Sequence, residues 1–409
     1  MNPHRALRHA TLSLLLAASG CDGTTPVATP DAAARDVSAV TDIAPADAAA
    51  PVDAPAAVPL GLNDVSVLFP LPSGADAEGY LHPLDEGPRG VLLPPAVFDA
   101  IPTFPVIPAQ GLVYDRMRVI AVRFDGCGRS PDACRPEVRM VMQPVNADGT
   151  LRDSALHLFY ELTPEAMTEV VAELRRLRAD HRATTGAPLD VHPTLVAEGV
   201  TGAYGTALRA LLLRQAGEQN LIRVTFFLRA PPVQEVWFFG GLERVDGDFV
   251  AMNIVGVGRG NQRVIRAPVD GGYDFNLTPV GDAPEDGRAL LTSAAATSAS
   301  DAQRRAAMGS YLRVENPRRY VPDQLPCAGC HLAAFITAET TRRFGLDPGA
   351  FSADRFTSER DLTRRGGAAD EPSSLRAFGW FGRTPMIAQR TVNESAAVLE
   401  HLEANYPSR

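Results

Sequence analysis

Residues 327 to 331 read Cys-Ala-Gly-Cys-His and hold the densest set of reactive side chains in the chain. Two thiols separated by two residues and followed at once by an imidazole admit several chemistries. The sulfurs can close a disulfide, cycle as a redox dithiol, hold zinc with the histidine, or become attachment points for a prosthetic group. A second pair, Cys127 and Cys134, brackets the turn-rich segment CGRSPDAC. That spacing is wider than redox pairs use, so a structural disulfide is the expectation there. The fifth cysteine, Cys21, stands alone near the start. Nothing else converges in the sequence. His157 and His192 are isolated and read as satisfied core or surface residues. Gly256-Val257-Gly258-Arg259-Gly260 superficially resembles a phosphate loop but has no helix after it, so it reads as a turn.

The elements that must position these residues fall into two regions. From 61 to about 295 the pattern alternates strands and helices. Arg118 to Phe124 and Glu137 to Val145 read as strands flanking the first cysteine pair, hence a hairpin closed by a Cys127–Cys134 disulfide. Ala155 to Leu162 is a third strand leading into a helix, with Thr163 as cap, Pro164 at the first position and a buried stripe of Met167, Val170, Val171, Leu174 and Leu177. Ala203 to Gln215 reads as a helix, Leu221 to Leu228 and Glu235 to Phe239 as strands, and Leu242 to Met252 as a hairpin turning at Asp246-Gly247. The expected class is an α+β domain with a largely antiparallel sheet, of unassigned function. From 300 to 409 the chain reads as a smaller, mainly helical region. Prolines at 317, 322 and 326 break it before the pentapeptide. A helix follows over Leu332 to Phe344, and an amphipathic one over Asn393 to Tyr406.

Composition limits the partners. The 409 residues carry a formal net charge of −9, which argues against nucleic acid. All 39 basic residues are Arg, so any anion must be met by guanidinium rather than ammonium groups. Hydrophobic content of 45% and charged content of 21% are those of a globular protein.

The first twenty residues combine a basic start (His4, Arg5, Arg8, His9), a short apolar run from Ala10 to Ala18, and the small residues Ala18-Ser19-Gly20 before Cys21. This resembles a bacterial lipoprotein signal peptide (1–20), with Ala18 standing where Leu is usual. The resemblance implies cleavage before Cys21, lipidation of that cysteine, and a location in the cell envelope, facing the periplasm or the cell surface. Residues 21 to 60, rich in Ala, Pro and Asp and without an aromatic side chain, read as a disordered spacer.

In an exported chain, Cys327-Ala328-Gly329-Cys330-His331 resembles the attachment site of single-haem c-type cytochromes. Carried over residue by residue, Cys327 and Cys330 would form thioethers to one haem c and His331 would bind its iron from the proximal side. Met386, in a loop before the closing C-terminal helix, would be the distal ligand, with Met308 and His401 as weaker candidates. Phe378, Trp380 and Phe381 would wall the macrocycle. The region 300–409 would then be a small, mainly α, cytochrome c-like domain. The motif departs from the family in following a proline-broken segment instead of ending a helix. Three functions stand on this reading. The first is a tethered electron carrier serving an unidentified redox partner. The second is a non-catalytic binding or structural lipoprotein whose C-terminal cysteines form a disulfide. The third is a haem peroxidase or gas sensor with an open iron position.

Overall fold

Strand patterns rich in Val, Ile and Phe recur from residue 66 to residue 277, and their hydrogen bonds must be met by neighbouring strands. The computed structural model describes residues 58–74, 77–102, 113–128, 134–181, 187–229, 236–269, 272–277, 284–288, 293–364 and 374–407. The signal-like segment, Cys21 and most of the spacer lie outside these residues.

Among the described residues, nine strands form one sheet: β1 (Ser66–Leu68), β2 (Met117–Asp125), β3 (Glu137–Pro144), β4 (Ala155–Glu161), β5 (Leu221–Arg229), β6 (Val236–Val245), β7 (Asp248–Ala251), β8 (Asn261–Val269) and β9 (Gly272–Leu277). Their order is β1-β2-β3-β4-β5-β6-β8-β9, with β7 pairing β6. Every pairing between these strands is antiparallel. The expected hairpins are present. β2 pairs β3 across the segment between Cys127 and Cys134, which are disulfide-bonded with their Cα atoms 4.5 Å apart. β6 turns into β7 at Asp246-Gly247, where both residues take the positive φ that such a turn requires.

The helices used below are α1 (Leu62–Val65), α2 (Pro164–His181), α3 (Pro193–Glu198), α4 (Ala203–Gln215), α5 (Asp301–Val314), α6 (Cys327–Phe344) and α7 (Gln389–Asn405). A short hairpin, β10 (Phe378–Phe381) with β11 (Thr384–Ile387), precedes α7.

On β4 the alternation separates two sets of side chains. Leu156, Leu158 and Tyr160 are fully buried in one cluster with the α2 stripe (Met167, Val170, Val171, Leu174, Leu177) and with Leu208, Leu211 and Leu212 of α4. His157 and Phe159 point the other way. In register beside them stand Val141 and Arg139 on β3 and Thr225 and Arg223 on β5. This second face is covered by the C-terminal region. Phe227, Trp237, Phe239 and Val264 pack with Tyr311 of α5 and with Leu332, Phe335 and Ile336 of α6. Arg123 of β2 reaches Glu394, Ser395 and the Thr391 carbonyl of α7.

The C-terminal region therefore does not close on a core of its own. Phe378, Trp380, Ile387, Val392, Leu399 and Leu402 belong to the same cluster as the sheet, and the chain from Ala56 onward forms one unit. The expected boundary between 295 and 300 separates two covers of one sheet rather than two domains. The physical reason is that the second face also carries large apolar side chains, Phe227, Trp237 and Phe239, that need a cover, and α2–α4 supply only the first.

Candidate functional site

The pentapeptide occupies the first turn of α6, whose N-cap is Pro326. Pro326 in extended conformation ends the preceding segment, and the helix begins at Cys327, five residues earlier than the pattern of apolar residues suggested. Helical geometry then places Cys327, Cys330 and His331 on one face, at i, i+3 and i+4. All three line a cavity of about 200 Å³ between the second sheet face and helices α6 and α7. Both cysteines are free thiols, and each keeps part of its surface accessible.

The opposite wall comes from the sheet. Val141, His157, Phe159, Thr225, Phe226, Phe227, Phe239 and Met252 line it, and Phe378 closes one side. Four guanidiniums, those of Arg123, Arg139, Arg223 and Arg390, stand among these groups, each with acidic company. Arg123 and Arg390 share Glu394, with 2.6 Å from the Arg390 Nε to the carboxylate. Arg139 pairs with Glu137 and with Asp125, the latter at 2.9 Å. Arg223 holds Asp323 through both its terminal nitrogens, one at 2.9 Å. Burial pushes the Glu394 carboxyl up, but Arg390, Arg123 and Arg139 outweigh it and hold that group down at about 2.

His331 is held in a defined tautomer. Its Nδ1 lies 2.6 Å from the Leu375 carbonyl. A carbonyl only accepts, so Nδ1 carries the proton and Nε2 is left with its lone pair. Burial lowers the imidazole to about 4, so it is neutral at ordinary pH. Leu375 is itself pinned by its neighbours. Ser374 donates to the buried Asp153 at 2.8 Å, Trp237 Nε1 donates to the same carboxylate at 3.2 Å, and the Arg376 guanidinium stands 3.7 Å from it. A chain from the sheet through Asp153 to Leu375 thus orients the imidazole.

The thiols are not set up as redox nucleophiles. A helix N-terminus favours thiolate. Here burial outweighs it and pushes the Cys327 thiol up to about 12, with Cys330 adding to the rise. Cys330 is raised as well, by burial first. An active dithiol wants the opposite shift.

His157, expected as a satisfied core or surface histidine, is half-buried and lines the cavity. Among the described residues its ring makes no hydrogen bond, whereas His192 caps α3 and meets the Tyr204 hydroxyl at 3.0 Å. Burial, and then the charges of His331 and Arg376, depress His157 to about 3. The signal that could have found it is the partner set of its face. Arg139, Val141, Phe159, Arg223 and Thr225 are too polar for a core and too aromatic for open solvent, on three adjacent strands.

Met386 is fully buried on β11 opposite Gly379, and it is not among the residues lining the cavity. Met308 is buried in α5. His401 lies on α7 beside the Cys127–Cys134 bond, with the three donor atoms within 4.8 Å of one another. Of the expected aromatic wall, Phe378 does line the cavity. Trp380 instead packs in the main core and donates to the Phe69 carbonyl at 3.1 Å, and Arg229 stands over Phe381.

As a haem site the donor set fits: two accessible thiols, an imidazole with free Nε2, apolar walls and nearby guanidiniums. The room is tighter. The cavity falls below the ~300–1,000 Å³ of ordinary ligand sites. Phe227 and Phe239 lie against the His331 ring, with centroids 5.4 and 4.8 Å away, and would have to turn aside for a macrocycle.

Comparison with known proteins finds no matching family model, no matching curated protein and no matching solved structure. No helix among the described residues is long and apolar enough to cross a membrane.

Proposed function

We propose that this chain is an envelope lipoprotein, tethered through Cys21, that carries one covalently attached haem c and passes electrons. The observation that carries the reading is the meeting, in one cavity, of two free thiols and an imidazole whose Nδ1 is already committed to Leu375. Bound haem supplies a one-electron iron couple.

The chain's own residues supply attachment, orientation and shielding. Cys327 and Cys330 would hold the group through thioethers, each S–H adding across a vinyl C=C with its proton passing to the adjacent carbon, so that no oxidant would be consumed. His331 would offer Nε2 to the iron, and the Leu375 carbonyl holds the ring's tautomer and tilt. Phe159, Phe226 and Phe378 would exclude water, and the guanidiniums of Arg123, Arg139, Arg223 and Arg390, each already facing a carboxylate, would set the charge around the group. Residues 22 to 60 space this unit from the lipid surface. The net charge of −9 argues against a nucleic-acid partner, and the redox partner is unidentified.

The test is a haem stain of a denaturing gel, on protein made in a host with c-type maturation machinery. Wild type should stain, and Cys327→Ala with Cys330→Ala should not. Wild type that does not stain, with Cys327 and Cys330 found disulfide-linked, would favour the non-catalytic binding lipoprotein instead.

A further inference from the structure

Six histidines lie among the described residues; His82 meets Asp85 at 3.2 Å and His401 meets Asn405 at 3.3 Å. His181 contacts Glu198 at 2.8 Å, His192 contacts Leu195 and Tyr204, and His331 contacts Leu375. Only His157 stands at a cavity wall with no hydrogen bond to either ring nitrogen among the described residues. His157 is half-buried, and its ring opens onto the cavity without a protein partner among the described residues.

The position is a rigid one. His157 sits in the middle of β4, hydrogen-bonded into the sheet on both sides, opposite Val141 on β3 and Thr225 on β5. Its side chain therefore stands off the sheet toward the wall formed by α6. On that wall are Cys327, Cys330 and His331. The two imidazoles line the same cavity from facing walls. The strand and the helix are far apart in the sequence and meet only across this cavity.

We propose that His157 is the second axial ligand of the metal group held by Cys327, Cys330 and His331, making this a two-histidine site instead of a histidine–methionine one. The inference rests on the haem reading above. It assigns the distal role to the sheet face, and it leaves Met386 as a core residue of the β10–β11 hairpin. Met252 also lines the cavity, at the edge of β7, and is the competing donor.

The experiment uses the full chain matured with haem. Ferric wild type should give a low-spin absorption and electron paramagnetic resonance signature and should lack the methionine-to-iron band. His157→Leu should keep its covalent haem on a denaturing gel but become high-spin, and millimolar imidazole should restore the low-spin spectrum. His157→Asn, a smaller and still polar change, should do the same if His157→Leu folds poorly. Met386→Leu should leave the spectrum as in wild type. A His157 variant that stains for haem and stays low-spin overturns this inference, as does a high-spin wild type. Wild type that does not stain at all defeats the haem reading itself, so the two failures are told apart by the gel.

Discussion

Replacing Glu394 by Gln removes one negative charge from between two buried guanidiniums while keeping the side chain's shape. Glu394 is 16% exposed, and its partners Arg123 and Arg390 are 8% and 4% exposed. Its carboxyl falls from 4.5 in the unfolded chain to about 2 in the fold. At ~1.36 kcal/mol for each tenfold change in proton affinity, that drop is worth roughly 3 kcal/mol of stability at pH 7. Breaking a buried pair and leaving its cations uncompensated gives a similar figure, about 3–5 kcal/mol. The pH dependence carries a definite sign. A depressed carboxyl stabilises fully above its unfolded value, and the contribution drains away as pH falls from about 4.5 toward about 2. Wild type should therefore approach Glu394→Gln as the medium is acidified, because a protonated glutamate and a glutamine are alike in charge. The assay is urea unfolding of both proteins at pH 7, 5, 4 and 3. It is followed by the emission of the two tryptophans, Trp237 and Trp380, both buried. A gap under ~1 kcal/mol at pH 7, or one that stays constant down to pH 3, would refute the reasoning.

Four further outcomes are expected. Asp153→Ala leaves Arg376 buried without its counter-charge and frees Ser374 and Trp237, so stability should fall by about 3 kcal/mol or more in the same urea assay. Removing the Cys127–Cys134 bond by Cys134→Ser should cost about 2 kcal/mol, since the loop it closes is short; a non-reduced digest should show the linked peptide in wild type. Met386→Ala should destabilise by about 2–5 kcal/mol through the hole it leaves, without altering any haem spectrum, and a changed spectrum would return Met386 to the iron. Cys21→Ala should move the protein from the membrane to the soluble envelope fraction, and persistence with membranes after a high-salt wash would sink the tether.

Much of the fold was legible locally. The stripe of α2 and the limits of α4 follow from periodicity. So do the strands around the first cysteine pair and the turn at Asp246-Gly247. In these places one face is apolar and one is not, or a turn demands a residue tolerant of positive φ. These are nearest-neighbour constraints, and the sequence states them directly. The attachment-like pentapeptide was equally plain, because its chemistry depends on five consecutive residues.

What the sequence determined by itself, then, was the set of reactive residues on α6, the antiparallel α+β class and the Cys127–Cys134 closure. Only the tertiary structure decided that residues 300–409 form the second cover of one sheet, and that His157, Arg123, Arg139 and Arg223 face Cys327, Cys330 and His331. The reason lies in the range of the forces. A histidine on β4 is polar whether it meets solvent, a hydrogen-bond partner or a cavity, and alternation along its strand reports which face it takes but not what covers that face. That cover is chosen by the total apolar area still exposed after α2 and α4 have docked, a quantity summed over the whole sheet.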